Sequence, residues 1–145
     1  GVPIRAPRGE RLALTRGSGR AQLARAVVES MAYQTRDVVD AVRSATGTEL
    51  AELRVDGGAS AMDVLCQFQA DLLGVPVRRP VVRETSALGA AFLAGIAEGV
   101  WASPTEAASA WSEEASFDAA MDSVEVDARM ATWHRAVERS RGWAD

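Results

Sequence analysis

The amino-acid sequence predicts an α/β fold in which short strands alternate with helices and a helical tail follows. Apolar residues recur at helical spacing in several stretches, short runs between them end at glycine turns, and the composition changes after Trp101. With 145 residues, of which 48% are hydrophobic and 25% charged, the chain has the size of one domain with its own core. We therefore predict a single domain over residues 1–145, with an irregular lead-in over 1–9 and a helical tail over 102–145.

The first predicted elements are a weak strand and a long helix. Two leucines alternate within residues 11–15, which predicts the strand, and a glycine-containing stretch ends it. Residues 19–45 carry apolar side chains three or four positions apart, which predicts a helix with one broad apolar face. Gly47 suits the C-cap of that helix, where a left-handed backbone is common.

A strand, a glycine turn and a helix are predicted next. The strand covers residues 50–55 and ends at Gly57 and Gly58. Ser60 begins a sequence with the form of a capping box, so we expect it to cap the following helix, which ends at Gly74. This order places a turn at the carboxyl end of a strand, where open α/β sheets bind their ligands.

The second half of the sequence predicts a short strand and then helices. The strand covers residues 75–79, and a helix over 86–100 is rich in glycine and alanine, which favours close packing against a neighbouring backbone. A second capping box predicts a short helix over 103–110, a polar link follows, and an amphipathic helix spans 124–143. We expect the large apolar residues of this last helix to be core or docking residues.

The composition excludes several classes of function. The chain has no lysine, so Schiff-base chemistry and a phosphate-loop lysine are excluded. Cys66 is the single cysteine, which excludes an intrachain disulfide and indicates the reducing cytoplasm. A net charge of -4, with arginines spread along the chain, argues against nucleic acid, and no apolar run is long enough for a membrane span. A metal site or catalytic triad based on His134, the single histidine, is disfavoured.

The turn at Gly57 and Gly58 is the first candidate binding site. Two glycines remove Cβ atoms where a backbone can approach a ligand, and the helix start offers free N–H groups and the positive end of a dipole. This suits a phosphate or a nucleoside, but any tight strand-to-helix reversal needs the same residues. Likewise, Arg16 and Arg36 could bind phosphate or pair with carboxylates, and Asp56 could contact a ribose or bond to its own backbone.

Five stretches combine into a specific pattern: LTRG at 14–17, ESMAYQTRDV at 29–38, LRVDGGASA at 53–61, CQFQADLLG at 66–74 and TSALGAAFLAG at 85–95. In order and spacing they resemble the C-terminal domain of the glycerol kinases, within the FGGY family of carbohydrate kinases. The resemblance covers about residues 8–101 and continues more loosely into the tail. It implies an actin/hexokinase-like (ribonuclease H-like) ATPase fold, of which this chain would be the closing portion.

The resemblance also implies a nucleotide site. By position, Gly57, Gly58 and Ala59 would contact ATP or ADP, Gly58 most directly. Met62 stands where the family usually has asparagine, so a polar contact with the nucleotide would be missing. The family's catalytic aspartate, its phosphate-binding loops and most groups that hold Mg²⁺ belong to portions that would lie before Gly1. No catalytic residue is therefore assigned in this chain.

Two hypotheses follow for the function. In the first, the chain is the nucleotide-side part of a glycerol kinase-like enzyme, its partner is the kinase's N-terminal domain, and it is inactive in isolation. An apolar edge left exposed could then also drive homo-oligomer formation. In the second, the chain is a non-catalytic, kinase-derived domain that binds a protein through its small-residue helix or its tryptophan-bearing tail.

Overall fold

Helices and short strands follow one another along residues 17–141, the part of the chain that the computed structural model describes. In chain order they are α1 (Arg20–Thr46), β1 (Leu53–Arg54), a 3-10 turn (Gly58–Ala61), α2 (Asp63–Leu73), β2 (Val77–Pro80), α3 (Thr85–Ala97), α4 (Pro104–Ala108), β3 (Glu113–Phe117) and α5 (Ser123–Ser140). The predicted α/β class is confirmed.

The described strands form one small mixed sheet in the order β1, β2, β3. β1 and β2 run parallel, with Leu53 opposite Val77, whereas β3 runs antiparallel to β2, with Phe117 opposite Val77. A parallel pair requires a crossover connection, and α2 lies in it. A register shift between Arg79 and Pro80 interrupts the pairing of β2 with β3.

α2 is central to the packing because it contributes to two apolar clusters. On one side of α2, Cys66 and Ala70 pack with Val77 of β2. On its other side lies the helical core cluster, which joins α2 to α1 and α5 and consists of Ala32, Leu65, Phe68, Leu72, Val126 and Met130. α2 therefore links the helices to the sheet.

Aromatic and polar contacts hold α5 against α1. The Trp133 ring stacks on Tyr33 with a centroid separation of 5.2 Å, and its indole N–H donates to the Asp37 carboxylate at 2.7 Å. Nε2 of His134 lies 2.8 Å from the other oxygen of Asp37. The expectation of core or docking residues is confirmed for Met130 and Trp133.

Three helix ends lie where their capping residues predicted them. Gly47 and Gly74 have φ of 68° and 70° and form left-handed C-caps of α1 and α2. Ser103 caps α4, because its hydroxyl accepts a hydrogen bond from the backbone N–H of Glu106.

The strand predictions are less accurate. β1 is much shorter than the strand predicted over 50–55, and β2 is shifted toward the C-terminus. β3 lies in the segment predicted to be a polar link, so that prediction is wrong. The lead-in over 1–9, the strand predicted over 11–15, Arg16 and Trp143 lie outside the described residues.

Among residues 17–141, α3 packs closely against no neighbouring backbone, so within this part of the chain the prediction from its small residues is wrong. None of its residues is buried. A Cβ atom built on Gly89 would meet nothing within 4 Å, whereas one on Gly95 would lie 2.3 Å from the Trp101 ring. Gly95 therefore makes room for an indole rather than for a backbone. Within residues 17–141, no helix has the length and hydropathy needed to cross a membrane.

Candidate functional site

The segment between β1 and α2 contains a turn that requires glycine. Gly57 has φ 74° and ψ 179°, a conformation that is strained for any residue with a Cβ atom. Its N–H donates to the Arg83 carbonyl at 2.8 Å. Its own carbonyl accepts from the backbone N–H of Ser60 at 3.1 Å and from the Ser60 hydroxyl at 2.7 Å. Residues 57–60, the glycine turn, are therefore held in one defined conformation.

The outer surface of the glycine turn is open. Gly58 and Ala59 are exposed, and Cβ atoms built on Gly57 and Gly58 would meet no atom of residues 17–141 within 4 Å. A ligand can therefore approach this backbone without meeting a side chain. The prediction of a strand-to-helix turn is confirmed, with a 3-10 turn between the strand and the helix.

Ser60 does not cap α2, so this part of the prediction is wrong. Its side chain lies beneath the glycine turn, and its hydroxyl donates back to the Gly57 carbonyl. α2 begins at Asp63, with Met62 at its N-cap and no hydrogen bond from a capping side chain. The 3-10 turn takes up the residues that the capping-box interpretation placed at the start of the helix.

Met62 lies directly after the glycine turn, and its side chain has a packing role. It is half-buried and contacts the helical core cluster. Gly57, Gly58 and Ala59, by contrast, contribute backbone to the open surface. The four predicted site residues therefore lie around one turn, but the methionine also belongs to the interior.

Beneath the glycine turn lies a buried arginine that the sequence analysis did not identify. The Arg79 side chain is 9% exposed, and its guanidinium donates to the Ser60 carbonyl at 2.9 Å, to Asp63 at 2.7 Å and to Glu114 at 2.9 Å. The hydrogen bond to Asp63 is the main cause that raises the pKa of Arg79. The sequence feature that could have identified this arginine is a pair of adjacent arginines in β2 that is followed, 35 residues later, by a pair of adjacent glutamates.

The remaining candidates have structural roles or lie at the surface. Arg36 donates to the Asp40 carboxylate at 2.8 Å and to the Leu72 carbonyl, which confirms its structural interpretation. Cys66 is buried, and this burial raises the pKa of its thiol. Asp56 is exposed beside the glycine turn. Among residues 17–141, no group of three or more His, Cys, Asp or Glu side chains could hold a metal ion.

A family model decides the relationship of this chain to known proteins. The model of the FGGY family of carbohydrate kinases, C-terminal domain, matches residues 5–98, which is more than half of the chain. The chain belongs to the FGGY family. The resemblance inferred from the five sequence stretches is thereby confirmed, whereas β3 and α5 lie beyond the residues matched by the FGGY model.

Curated relatives of this FGGY chain are glycerol kinases. The glycerol kinase of Symbiobacterium thermophilum is 53% identical over 137 residues, and that of Deinococcus radiodurans is 49% identical over 138 residues. The first alignment covers 94% of this chain but 28% of the relative. The chain thus spans little more than a quarter of the length of the curated relatives it matches.

Solved structures of other FGGY kinases have the same fold. A structure of Plasmodium falciparum glycerol kinase with ADP superposes with a TM-score of 0.76 at 29% identity, covering 89% of this chain and 26% of that one. Xylulose kinase from Lactobacillus acidophilus has a TM-score of 0.66 at 22% identity, covering 87% of this chain and 25% of that one, which supports the fold alone. The actin/hexokinase-like fold class is confirmed.

Proposed function

We propose that this chain is the nucleotide-side C-terminal part of a glycerol kinase-like enzyme. The enzyme transfers the γ-phosphoryl group of ATP to a hydroxyl of glycerol, and the products are glycerol 3-phosphate and ADP. Membership of the FGGY family and about half identity to glycerol kinases support this reaction. For the role of this chain within the enzyme, the decisive observation is the open glycine turn after β1.

We assign Gly57, Gly58, Ala59 and Met62 to the nucleotide. The open Cβ positions of both glycines fit a flat ligand that lies against the backbone. Arg79 is buried beneath the turn and paired with Asp63 and Glu114, so it is not available to a phosphate at the outer surface. The Arg83 guanidinium is likewise paired with Glu114. These features favour the base and ribose of ATP as the part that this turn contacts.

The phosphates of ATP and Mg²⁺ require groups beyond the glycine turn. Phosphoryl transfer depends on Mg²⁺ and several positioned groups that stabilise charge on the transferred phosphate. The described residues hold no cluster of metal ligands. We therefore assign the ligands of Mg²⁺ and the catalytic base to parts of the enzyme outside residues 17–141. The described residues contribute the orientation of the nucleotide.

The partner that we assign to this chain is the N-terminal kinase domain. Large apolar side chains such as Val27 and Val38 of α1 and Leu93 of α3 are more than half exposed. Apolar patches of this kind are usually covered by another part of a protein or by a partner. The remaining three quarters of a glycerol kinase's length could supply that cover. We place the enzyme in the cytoplasm, which is consistent with a buried, free Cys66.

A protein-interaction module remains the second candidate. It is favoured by α3, which has an apolar sequence and no buried residue. The tail gives it less support, because Trp133 is already stacked on Tyr33 and hydrogen-bonded to Asp37.

A coupled kinase assay tests the proposed function. The natural protein that carries this sequence is expected to phosphorylate glycerol with ATP, and the 145-residue chain alone is expected to show no turnover above background. A natural protein that folds but neither binds ATP nor turns over would support the interaction module. Turnover by the isolated chain, after contaminating kinases have been excluded, would contradict the assignment of the catalytic groups.

A further inference from the structure

The carboxylate of Glu114 on β3 joins two arginines that both reach the glycine turn. One oxygen of Glu114 accepts from Nε of Arg79 at 2.9 Å, and both oxygens accept from Arg83, at 2.8 and 2.9 Å. Arg79 donates to the Ser60 carbonyl at one end of the turn. Arg83 accepts from the Gly57 N–H at the other end, through its backbone carbonyl. Arg79, Arg83 and Glu114, here called the arginine bracket, thus hold both ends of the turn.

The arginine bracket connects the candidate site with a part of the chain outside the FGGY domain match. The match ends at residue 98, whereas β3 begins at Glu113. β3 is antiparallel to β2, and this pairing places Glu114 beside Arg79. Hydrogen bonds through Arg79 therefore connect the glycine turn with a strand from the tail.

We propose that Arg79, Arg83 and Glu114 are positioning residues that hold the glycine turn in the shape that binds the nucleotide. This inference rests on the proposed function, since it concerns the same nucleotide site. Glycine can adopt many backbone conformations besides the one that Gly57 has, so contacts with the surroundings must select this one. None of the three side chains needs to contact the nucleotide, because they act through the Gly57 and Ser60 backbone.

The bracket depends on Glu114 because a buried guanidinium must keep its hydrogen-bond partners. In Glu114→Gln the side chain loses its charge and one of its two acceptor oxygens, and the remaining amide oxygen cannot replace the carboxylate toward both Arg79 and Arg83, while Arg79 retains Asp63 and the Ser60 carbonyl. The Arg83 guanidinium loses at least one of its two bonds to Glu114, because the NH2 group that replaces a carboxylate oxygen is a donor. We expect the turn to become more flexible while the sheet and α2 remain folded.

Glu113 provides a matched control. It is adjacent to Glu114 in β3, and the two side chains are 34% and 37% exposed. Glu113 pairs with Arg78, which binds Glu52 and has no hydrogen bond to the glycine turn among the contacts described for residues 17–141. Glu113→Gln therefore removes the same charge from the same strand without touching the bracket.

The test compares Glu114→Gln with Glu113→Gln in the natural protein. We expect Glu114→Gln to raise the KM for ATP roughly twofold to fivefold, the range that loss of a partly exposed ion pair gives, while the KM for glycerol stays unchanged. Hydrogen exchange at the Gly57 and Ser60 amides should become faster in this variant. Glu113→Gln should match the parent in both measurements.

Arg83→Gln is the second variant, in case Glu114→Gln does not fold. It keeps the backbone carbonyl that accepts from Gly57 and removes the side-chain bonds to Glu114, so the same changes are expected at a smaller size. Equal KM values for ATP in Glu114→Gln and Glu113→Gln would overturn the positioning role, even if the turn exchanged faster. If Gly58→Val loses nucleotide binding in that same protein, the proposed function stands and only the bracket is wrong.

Discussion

α2 and α3 are both short apolar helices, yet they are packed in opposite ways. Six of the 11 residues of α2 are buried, whereas none of the 13 residues of α3 is. α2 finds its partners in α1, α5 and the sheet, all within the described residues. α3 leaves side chains such as Leu93 exposed at 70%. An apolar sequence therefore indicates that a helix is to be buried, while the partner that buries it depends on which part of the protein is present.

The largest expected effect comes from a matched pair of leucine substitutions in the 145-residue chain. Leu72 of α2 is fully buried, so Leu72→Ala is expected to lower the free energy of unfolding by about 2–5 kcal/mol. Leu93→Ala is expected to change it by less than about 0.5 kcal/mol. Denaturant unfolding of both variants measures the difference.

The same Leu93→Ala substitution sharpens the comparison in the natural protein. If the N-terminal kinase domain covers α3, Leu93→Ala should lower the free energy of unfolding of the natural protein by about 2 kcal/mol or more, because a buried leucine is then truncated. A change in unfolding free energy near zero in both the 145-residue chain and the natural protein would show that α3 is not covered by the rest of the protein.

Docking of the tail helix should depend on one indole hydrogen bond. Trp133→Phe keeps a ring against Tyr33 but removes the donor to Asp37, so we expect a loss of about 1 kcal/mol in the free energy of unfolding. Trp111→Phe is the control, since that ring lies beneath the Arg54 guanidinium, 4.5 Å from its centroid, and a cation–π contact at an accessible site is worth less. Equal losses in thermal or chemical unfolding would contradict this interpretation of the tail.

Acid should weaken the sheet before it weakens the helical core cluster. Hydrogen bonds from Arg54 and Arg78 lower the pKa of Glu52, and those from Arg83 and Arg79 lower the pKa of Glu114, each from an ordinary value of 4.5. Both pKa values are lower in the folded state than in the unfolded state. The two ionised carboxylates therefore stabilise the fold above pH 4.5, and this stabilisation is lost as the pH falls through their lowered pKa values.

A double variant, Glu52→Gln with Glu114→Gln, tests this pH dependence. Its unfolding midpoint should fall less than that of the parent as the pH decreases from about 5 to about 3. Parallel curves for the two proteins would show that these carboxylates do not cause the acid sensitivity.

The smallest expected effect on stability concerns Met62. In Met62→Asn the amide can cap α2, which stabilises by about 1 kcal/mol, and the lost packing costs a similar amount. The amide also offers the nucleotide a hydrogen bond, so affinity for ADP in the natural protein should rise roughly threefold to tenfold. Met121→Asn is the control, because Met121 packs on the same core cluster. Unchanged affinity in Met62→Asn would remove this residue from the site.

The sequence was sufficient to predict the parts of the fold whose cause is local. α1, α2 and α5 follow from apolar spacing, and Gly47 and Gly74 end their helices for a reason that is contained in one residue. β3 could not be found this way, because its pairing with β2 rests on glutamates that meet arginines about 35 residues away.

The position of the candidate site could be predicted from the sequence, but the contacts that hold it could not. Gly57 and Gly58 mark the turn in the sequence, since the positive φ of Gly57 would be strained for any residue with a Cβ atom. The orientation of Ser60 was predicted wrongly, because a 3-10 turn and a helix start use the same residue types. Arg79 was missed, since nothing local distinguishes a buried arginine from an exposed one. Both errors come from contacts between segments that are distant in the sequence.

Calorimetric titration of the natural protein with ADP tests most directly whether the glycine turn is the nucleotide site. Gly58→Val places a branched side chain on the open backbone, whereas Ala51→Val places one at an exposed position before β1. We expect Gly58→Val to fold and to bind ADP more than about tenfold more weakly, while Ala51→Val binds like the parent. A folded Gly58→Val protein with parental affinity would contradict the assignment of this turn to the nucleotide.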